Sequence, residues 1–173
     1  MNTKSRRWFA CFLFLGLQPL AAPALEIAYR VSLPDPAGHY VHVQIDLAGV
    51  NQEFLDLQLP AWAPGLYLIL DFARMVSGFS AESPAGPLRH EKIDKHTWRV
   101  AASGASRITV RYKVFANILN GAYSQVNESH AFLAGGSVYM YAAGHKDQPV
   151  TLDVEIPPGW RILSTVPGRQ FIP

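Results

Sequence analysis

One histidine pair and one Glu-x-His pair are the residues of this sequence whose types and spacing could do chemistry. His39 and His42 stand three apart, so a strand would send their side chains to opposite faces, which makes them poor ligands for one metal ion. Glu128 and His130 stand two apart, so an extended segment would place a carboxylate and an imidazole on one face for acid-base chemistry. The same two residues are equally typical of a solvated, hydrogen-bonded pair on a loop.

The motifs of the common catalytic sites do not occur in this sequence. None of its 173 residues falls in an H-E-x-x-H zinc motif, a G-x-S-x-G nucleophile elbow, a phosphate loop or a dinucleotide fingerprint. We therefore predict no catalytic residue, no metal ligand and no cofactor in this chain. Purified protein is expected to hold no stoichiometric zinc and to release no amino acid from glycyl or alanyl anilides.

The first 24 residues, 1–24, have the layout of an export signal. A basic start at 4–7 precedes an apolar run at 8–17, and Ala22-Pro23-Ala24 supplies the small-x-small pattern of a cleavage site after Ala24. The apolar run is shorter than the roughly 20 residues of a membrane-spanning helix. We therefore expect a bacterial protein exported to the periplasm or secreted, by either the general secretory or the twin-arginine route.

Removal of this leader leaves a predicted single domain at 25–173. Cys11, the single cysteine, lies in the leader, so the mature chain has neither a disulfide nor a thiolate metal site. The mature chain carries 12 Lys and Arg against 13 Asp and Glu. Such a balance predicts no binding of nucleic acid or of an anionic membrane surface.

Apolar residues that recur with period two predict strands along most of the mature chain. Turn-forming residues separate these runs at intervals of about ten residues, which is typical of antiparallel sheets. We predict an all-β fold, an antiparallel β-sandwich with at most one or two short helical turns. The well-patterned strands are expected at 27–33, 41–47, 55–59, 107–114 and 150–156, and shorter ones at 98–100, 138–141 and 161–163.

The segment 59–74, LPAWAPGLYLILDFAR, combines an apolar composition with turn-forming residues. Pro60 is expected to end the strand before it, and Ala63-Pro64-Gly65-Leu66 fits a type II turn in which Gly65 takes the positive φ. Trp62 is expected to anchor this turn in the core.

A short helix is predicted at the end of this segment, at 72–75. Asp71 is expected to cap its start, Gly78 to close it, and Arg74 to form an ion pair with Asp71 three residues earlier.

The segment and its flanks resemble the amino-terminal domain of the M61 peptidases, the glycyl aminopeptidase family. The likeness begins at His39-Tyr40-Val41-His42-Val43 and continues through 94–98, 110–117 and 130–136 to 157–160. The motif residues that carry the likeness are Trp62, Pro64, Gly65, Tyr67, Asp71, Phe72 and Arg74.

The resemblance implies a β-rich domain in front of a zinc-dependent catalytic domain, usually in an exported bacterial protein. The zinc ligands would belong to an H-E-x-x-H helix of that second domain, which this sequence does not reach. The front domain would pack on the catalytic domain through the motif residues and shape the cleft for a peptide substrate. By analogy with related thermolysin-like aminopeptidases, Glu128, with His130 beside it, would help to anchor the free amino group of the substrate.

Three positions depart from the family pattern. Leu66 and Leu70 stand where a small polar residue and an arginine are expected, and Ile118 stands where the pattern tends to be acidic. These leucines make the segment more apolar than its relatives, which suits a surface that meets a partner.

A second hypothesis is an independent secreted module that binds carbohydrates or proteins. Aromatic side chains stack on the apolar faces of sugars, although such residues more often fill a core or an interface. The aromatic candidates for a sugar-binding face are Trp98, Tyr112, Tyr123, Tyr139, Tyr141 and Trp160.

Overall fold

A computed structural model describes residues 24–63, 65 and 67–165 of the chain. The predicted export signal therefore lies outside the described residues except for Ala24, and Pro64 and Leu66 of the predicted turn lie outside them as well. The described strands are β1 (Glu26–Ser32), β2 (Tyr40–Ala48), β3 (Phe54–Gln58), β4 (Val76–Ser83), β5 (Gly86–Pro87), β6 (His90–Lys92), β7 (Thr97–Ala101), β8 (Arg107–Phe115), β9 (Gln125–Val126), β10 (Ala131–Phe132), β11 (Tyr141–Ala142) and β12 (Val150–Glu155).

The strands form two main sheets around a common core. The larger sheet has six strands in the order β12-β1-β2-β8-β4-β5, and the smaller has four in the order β11-β3-β7-β6. The strands β9 and β10 form a separate hairpin. Helical structure in the described part is limited to 3₁₀ turns at Pro36–Gly38 and Phe72–Met75 and one short helix, α1 (Gly135–Val138). The predicted all-β fold is confirmed.

Alternating apolar residues of both sheets fill the core, as predicted. The antiparallel register of β2 and β8 sets their apolar residues directly opposite each other. Polar residues on the same strands face away from the core, because side chains alternate along a strand. The buried residues of these two strands are Val41, Val43, Ile45, Leu47, Ile108, Val110, Tyr112 and Val114, and the smaller sheet adds Leu55, Leu57, Trp98 and Val100.

Two buried tyrosines tie the larger sheet to the segment after α1. The Tyr29 hydroxyl donates to Met140 O at 2.6 Å, and the Tyr112 hydroxyl donates to Val138 O at 2.8 Å. Met140 N donates in turn to the Tyr112 oxygen at 2.9 Å. Burial raises the pKa of Tyr29 to about 12 and that of Tyr112 further, which keeps both hydroxyls neutral.

The shorter strand predictions were partly wrong. A strand at 138–141 is replaced by the end of α1 and the start of β11, because the tyrosine hydroxyls take the backbone groups that a strand would offer to a neighbour. No strand forms at 161–163 in the described part of the chain. The preceding Pro157-Pro158-Gly159 explains this, since proline offers no N–H to a ladder.

Two strands of the larger sheet differ from the predicted pattern. β4 was not predicted, because its sequence VSGFSAES does not alternate and its register shifts between Ser77 and Ser80. β12 lies where a strand was predicted, but it pairs with β1 in parallel at the edge of the sheet. Its Val150 and Leu152 therefore remain about half exposed, at 53% and 49%.

Candidate functional site

The motif segment after β3 folds back on itself as a narrow loop. Leu70 N donates to Ala61 O at 2.8 Å, and an antiparallel bridge joins Trp62 to Ile69. Gly65 lies at the turn with the predicted positive φ, at +88°. Because a glycine has no Cβ, it adopts this conformation without strain.

Four large apolar side chains of this loop are exposed, and we call them the apolar patch: Trp62, Tyr67, Leu68 and Ile69. Their exposed fractions are 48%, 90%, 60% and 71%. The prediction that Trp62 anchors the loop in the core was wrong, since its place in the bridge with Ile69 turns its ring outward. The anchor is Phe72, which is fully buried.

Tyr123 fastens the loop to the rest of the domain. Its hydroxyl donates to Leu70 O at 2.8 Å and accepts from Arg74 Nη2 at 3.3 Å. Its ring meets Phe72 edge-on at 5.1 Å between centroids, and the Arg74 guanidinium lies 5.8 Å from the ring centroid. The loop that carries the apolar patch is therefore held on its inner side by hydrogen bonds and ring contacts with Tyr123.

Asp71 does not have the role that its position predicts. It precedes the 3₁₀ turn Phe72–Met75, but its own φ is +42° and its side chain makes no capping hydrogen bond. A left-handed backbone directs the carboxylate away from the free N–H groups of the turn. The predicted cap was therefore wrong. So was the predicted closure by Gly78, which lies inside β4.

The Asp71 carboxylate instead faces the loop between β6 and β7. Its Oδ2 lies 3.8 Å from Lys95 Nζ, and its Oδ1 lies 4.0 Å from His96 Nδ1. The predicted Asp71–Arg74 ion pair was wrong, since Arg74 turns toward Tyr123. Asp71 Oδ1 and His96 Nδ1 are both buried and have no hydrogen-bond partner among the described residues.

Two residues of this segment have left-handed backbone conformations that are unusual for side chains other than glycine. Tyr67 has φ +49° and Asp71 has φ +42°. Each such conformation costs on the order of 1–2 kcal/mol. Such strain tends to occur at functional sites.

Glu128 and His130 lie in the turn between β9 and β10. Asn127 Oδ1 accepts from Ser129 N at 2.9 Å and from His130 N at 3.1 Å, so the segment is a tight turn and not an extended strand. His130 Nε2 lies 3.1 Å from Gln125 Oε1. Glu128 is exposed at the tip and has no partner among the described residues. The shared strand face considered for this pair therefore does not form.

The segment that leads into the β9–β10 hairpin also holds the motif loop, through Tyr123. Tyr123 precedes β9, and Ser124 Oγ lies 2.8 Å from Ser137 Oγ of α1. The backbone of α1 in turn approaches the Phe72 ring, since a Cβ added at Gly136 would lie 4.0 Å from Phe72 Cε2. Hydrogen bonds and packing therefore connect the motif loop, α1 and the β9–β10 hairpin.

The aromatic residues considered for a sugar-binding face do not form one. Tyr112 and Trp98 are buried in the core, and Tyr139 contacts Tyr29 edge-on at 5.6 Å.

The described residues also bear on metal binding and on membrane spans. In that part of the chain, no three His, Cys, Asp or Glu side chains come together to hold a metal ion. Nor does any helix there have the length and apolar character to cross a membrane.

Comparison with known proteins relates this architecture to peptidases. Residues 28–171 match the peptidase M61 N-terminal domain family. The crystal structure of the aminopeptidase N family protein from Idiomarina loihiensis is 32% identical over 76% of this chain, with a TM-score of 0.69. That alignment spans 22% of the longer Idiomarina loihiensis chain. None of the curated proteins compared with the chain matches it.

A two-domain M1 zinc metallopeptidase, solved as a mutant bound to L-arginine, is a more distant structural neighbour. It is 13% identical over 77% of this chain and 32% of its own, with a TM-score of 0.38.

Proposed function

Because the chain belongs to the peptidase M61 N-terminal domain family, we propose that it is the non-catalytic front domain of an exported zinc aminopeptidase. In this role it packs against a zinc-dependent catalytic domain and shapes the cleft for a peptide substrate. The zinc ligands and the general base belong to that second domain. The mature chain, 25–173, works in the periplasm or outside the cell.

The apolar patch is the observation that carries this proposal. Contiguous exposed apolar side chains are unfavourable in water and usually mark an interface. Here they stand on a loop that Phe72 and Tyr123 hold from the inner side, so little ordering of the backbone is needed when a partner binds. We assign the patch, with the motif residues beneath it, to the contact with the catalytic domain.

Charged groups at the margin of the patch give this contact its orientation. Lys95 is 80% exposed on its side chain and lies beside Asp71, and Arg74 is exposed near Tyr123. Charges at the rim of an interface contribute more to register and specificity than to affinity.

The first test concerns the patch in the isolated chain. We expect the purified chain to self-associate, because the patch is uncovered, and we expect the double variant Tyr67→Ser, Ile69→Ser to sediment as a monomer. Phe54→Ser is the matched control, since Phe54 is 45% exposed at the far end of β3. A wild-type chain that remains monomeric at high concentration would favour the independent binding module.

The second test concerns metal and activity. Purified protein is predicted to contain far less than one zinc per chain and to release no amino acid from glycyl or alanyl anilides. Metal analysis by mass spectrometry and a chromogenic assay measure both quantities. One tightly bound zinc per chain together with turnover would make this chain an enzyme in its own right and refute the assignment.

The third test concerns Glu128 as an anchor for the substrate amino group. Its carboxylate is exposed at the hairpin tip, where it can pair with an α-ammonium group of a peptide. In a chimera that joins 25–173 to the catalytic part of the Idiomarina loihiensis relative, Glu128→Gln should raise KM for an alanyl anilide about tenfold. Glu91→Gln is the control, because Glu91 lies on β6 in the smaller sheet. An unchanged KM would remove Glu128 from the site.

His130 is assigned a supporting role beside Glu128. Its ring contacts Gln125 and Ser129, which holds the turn in shape. In the same chimera, His130→Ala should raise KM less than Glu128→Gln does. A larger effect of His130→Ala would assign the substrate contact to the imidazole.

A further inference from the structure

The outer face of the larger sheet carries a row of polar side chains without partners. The registers of β12, β1, β2, β8 and β4 place five residues side by side across five strands. None of these side chains forms a hydrogen bond or salt bridge within the described part of the chain. In order across the sheet, the five residues are Glu155, Ser32, His42, Lys113 and Ser77.

The neighbouring row differs because its cations are paired. Arg111 donates from Nε to Gln44 Oε1 at 2.9 Å and also pairs with Glu82 through Nη1. Arg30 Nε lies 3.7 Å from Asp46 Oδ2. Lys113, next to His42, has no carboxylate contact in the described part of the chain, and neither has Arg107 at the far end of β8.

A cavity of about 350 Å³ lies over these two rows. Its lining includes Ser32, His42, Lys113 and Gly78 on one side and the carboxylates Asp153 and Glu155 of β12 on the other. The cavity opens beside the bulge of β4, where Gly78 has φ +63° and a Cβ would meet no atom within 4 Å. A bulge of this kind often occurs beside a binding site because it interrupts the ladder and leaves space. The volume lies within the range of small-molecule sites.

An exposed aromatic pair adjoins the cationic residues. Tyr40 and Phe115 are paired across β2 and β8, each 38% exposed, with ring centroids 5.4 Å apart at 61°. They stand two residues along the strands from His42 and Lys113, a step of roughly 7 Å on the same face. The exposed rings of Tyr40 and Phe115 therefore lie about the width of a sugar ring from the positive charge of Lys113.

We propose that this face binds an acidic sugar unit such as a uronic acid. Its carboxylate would pair with Lys113 and accept a hydrogen bond from His42, while the apolar side of its ring rests on Tyr40 and Phe115. A hydroxyl group of the sugar would bond to Ser77, the neighbour of Lys113 across β8 and β4. The site lies on the outer face of the larger sheet and does not depend on the aminopeptidase assignment.

The electrostatics of His42 support this assignment. Burial lowers the pKa of His42, and the adjacent Lys113 lowers it further. The imidazole is thus held neutral beside an uncompensated ammonium group, and a bound carboxylate would relieve the repulsion that lowers the pKa. The His42 ring resonances are therefore a direct reporter of binding.

The test is a titration of the full chain with D-glucuronate, followed by NMR of the His42 ring and by calorimetry. We expect saturable shifts of His42, and we expect Lys113→Gln to weaken binding about tenfold through the lost charge-assisted bond. Lys146→Gln is the matched control, since Lys146 lies over Tyr141 of the smaller sheet. It should bind as the wild type does.

Two further probes separate the parts of the proposed site. D-glucose has the ring without the acid and acetate has the acid without the ring, and each should bind at least about tenfold more weakly than glucuronate. The absence of a saturable His42 shift with glucuronate would overturn the proposal. Acetate binding as tightly as glucuronate, or equal loss of binding in Lys146→Gln, would overturn it as well.

Discussion

Tyr112 crosses the core from β8 and satisfies two backbone groups at once, Val138 O and Met140 N. Tyr29 satisfies one, Met140 O. Leaving a buried backbone group without its partner costs about 1–3 kcal/mol. The two hydroxyls therefore fix the segment between α1 and β11, on which the approach of α1 to Phe72 depends.

We predict that Tyr112→Phe lowers the free energy of unfolding by about 2–4 kcal/mol, and Tyr29→Phe by about half as much. Urea denaturation followed by circular dichroism measures both values. Tyr40→Phe is the control, because the Tyr40 ring is partly exposed and its hydroxyl has no partner among the described residues. If Tyr112→Phe unfolds at the same urea concentration as Tyr40→Phe, the hydrogen bonds of the Tyr112 hydroxyl do not stabilise the fold.

The raised pKa of Tyr29 makes stability depend on alkaline pH. In the unfolded chain a tyrosine loses its proton near pH 10, whereas the folded pKa of Tyr29 is about 12. Above about pH 10 the unfolded state thus binds fewer protons than the folded one, and stability falls as the pH rises toward about 12. The fall should be smaller in Tyr29→Phe. A free energy of unfolding that stays constant over this range would contradict the burial of neutral hydroxyls.

At the scale of elements, the alternation of apolar and polar residues predicted the strands that face the core. It did not predict a strand whose sequence lacks this alternation. β2 and β8 were predictable because hydrophobic burial alone decides which face of each turns inward. β4 was not, because a bulge at Gly78 breaks the alternation. The exposure of Trp62 also could not be read from composition, since the bridge to Ile69 that turns its ring outward depends on the folded loop.

The turn of the motif loop requires a residue that tolerates a positive φ, which Gly65 supplies. We predict that Gly65→Ala lowers the free energy of unfolding by about 1 kcal/mol, because φ +88° strains any residue that has a Cβ. Gly121→Ala is the control, since Gly121 is exposed, has open space around it and lacks a positive φ. Equal stability of the two variants in thermal denaturation would show that the turn carries no strain.

At the scale of the whole molecule, the two proposed surfaces differ in chemical character. The motif loop on the side of the smaller sheet exposes apolar residues on an anchored backbone, which suits a lasting contact with another domain. The outer face of the larger sheet exposes polar and aromatic residues, which suits a small ligand. The family resemblance of the sequence predicted the first surface, because the motif is contiguous. The second joins residues from three strands, β2, β8 and β4, and depends on their register in the folded sheet.

The most direct measurement of the central claim is binding in trans. The catalytic part of the Idiomarina loihiensis relative, without its own front domain, is titrated with this chain in a calorimeter. We expect a stoichiometric complex, with affinity reduced at least about hundredfold by Tyr67→Ser with Ile69→Ser through loss of the buried apolar contact and unchanged by Phe54→Ser. No complex, or a complex that the patch variant forms as tightly as the wild type, would contradict the assignment of this surface to the catalytic domain.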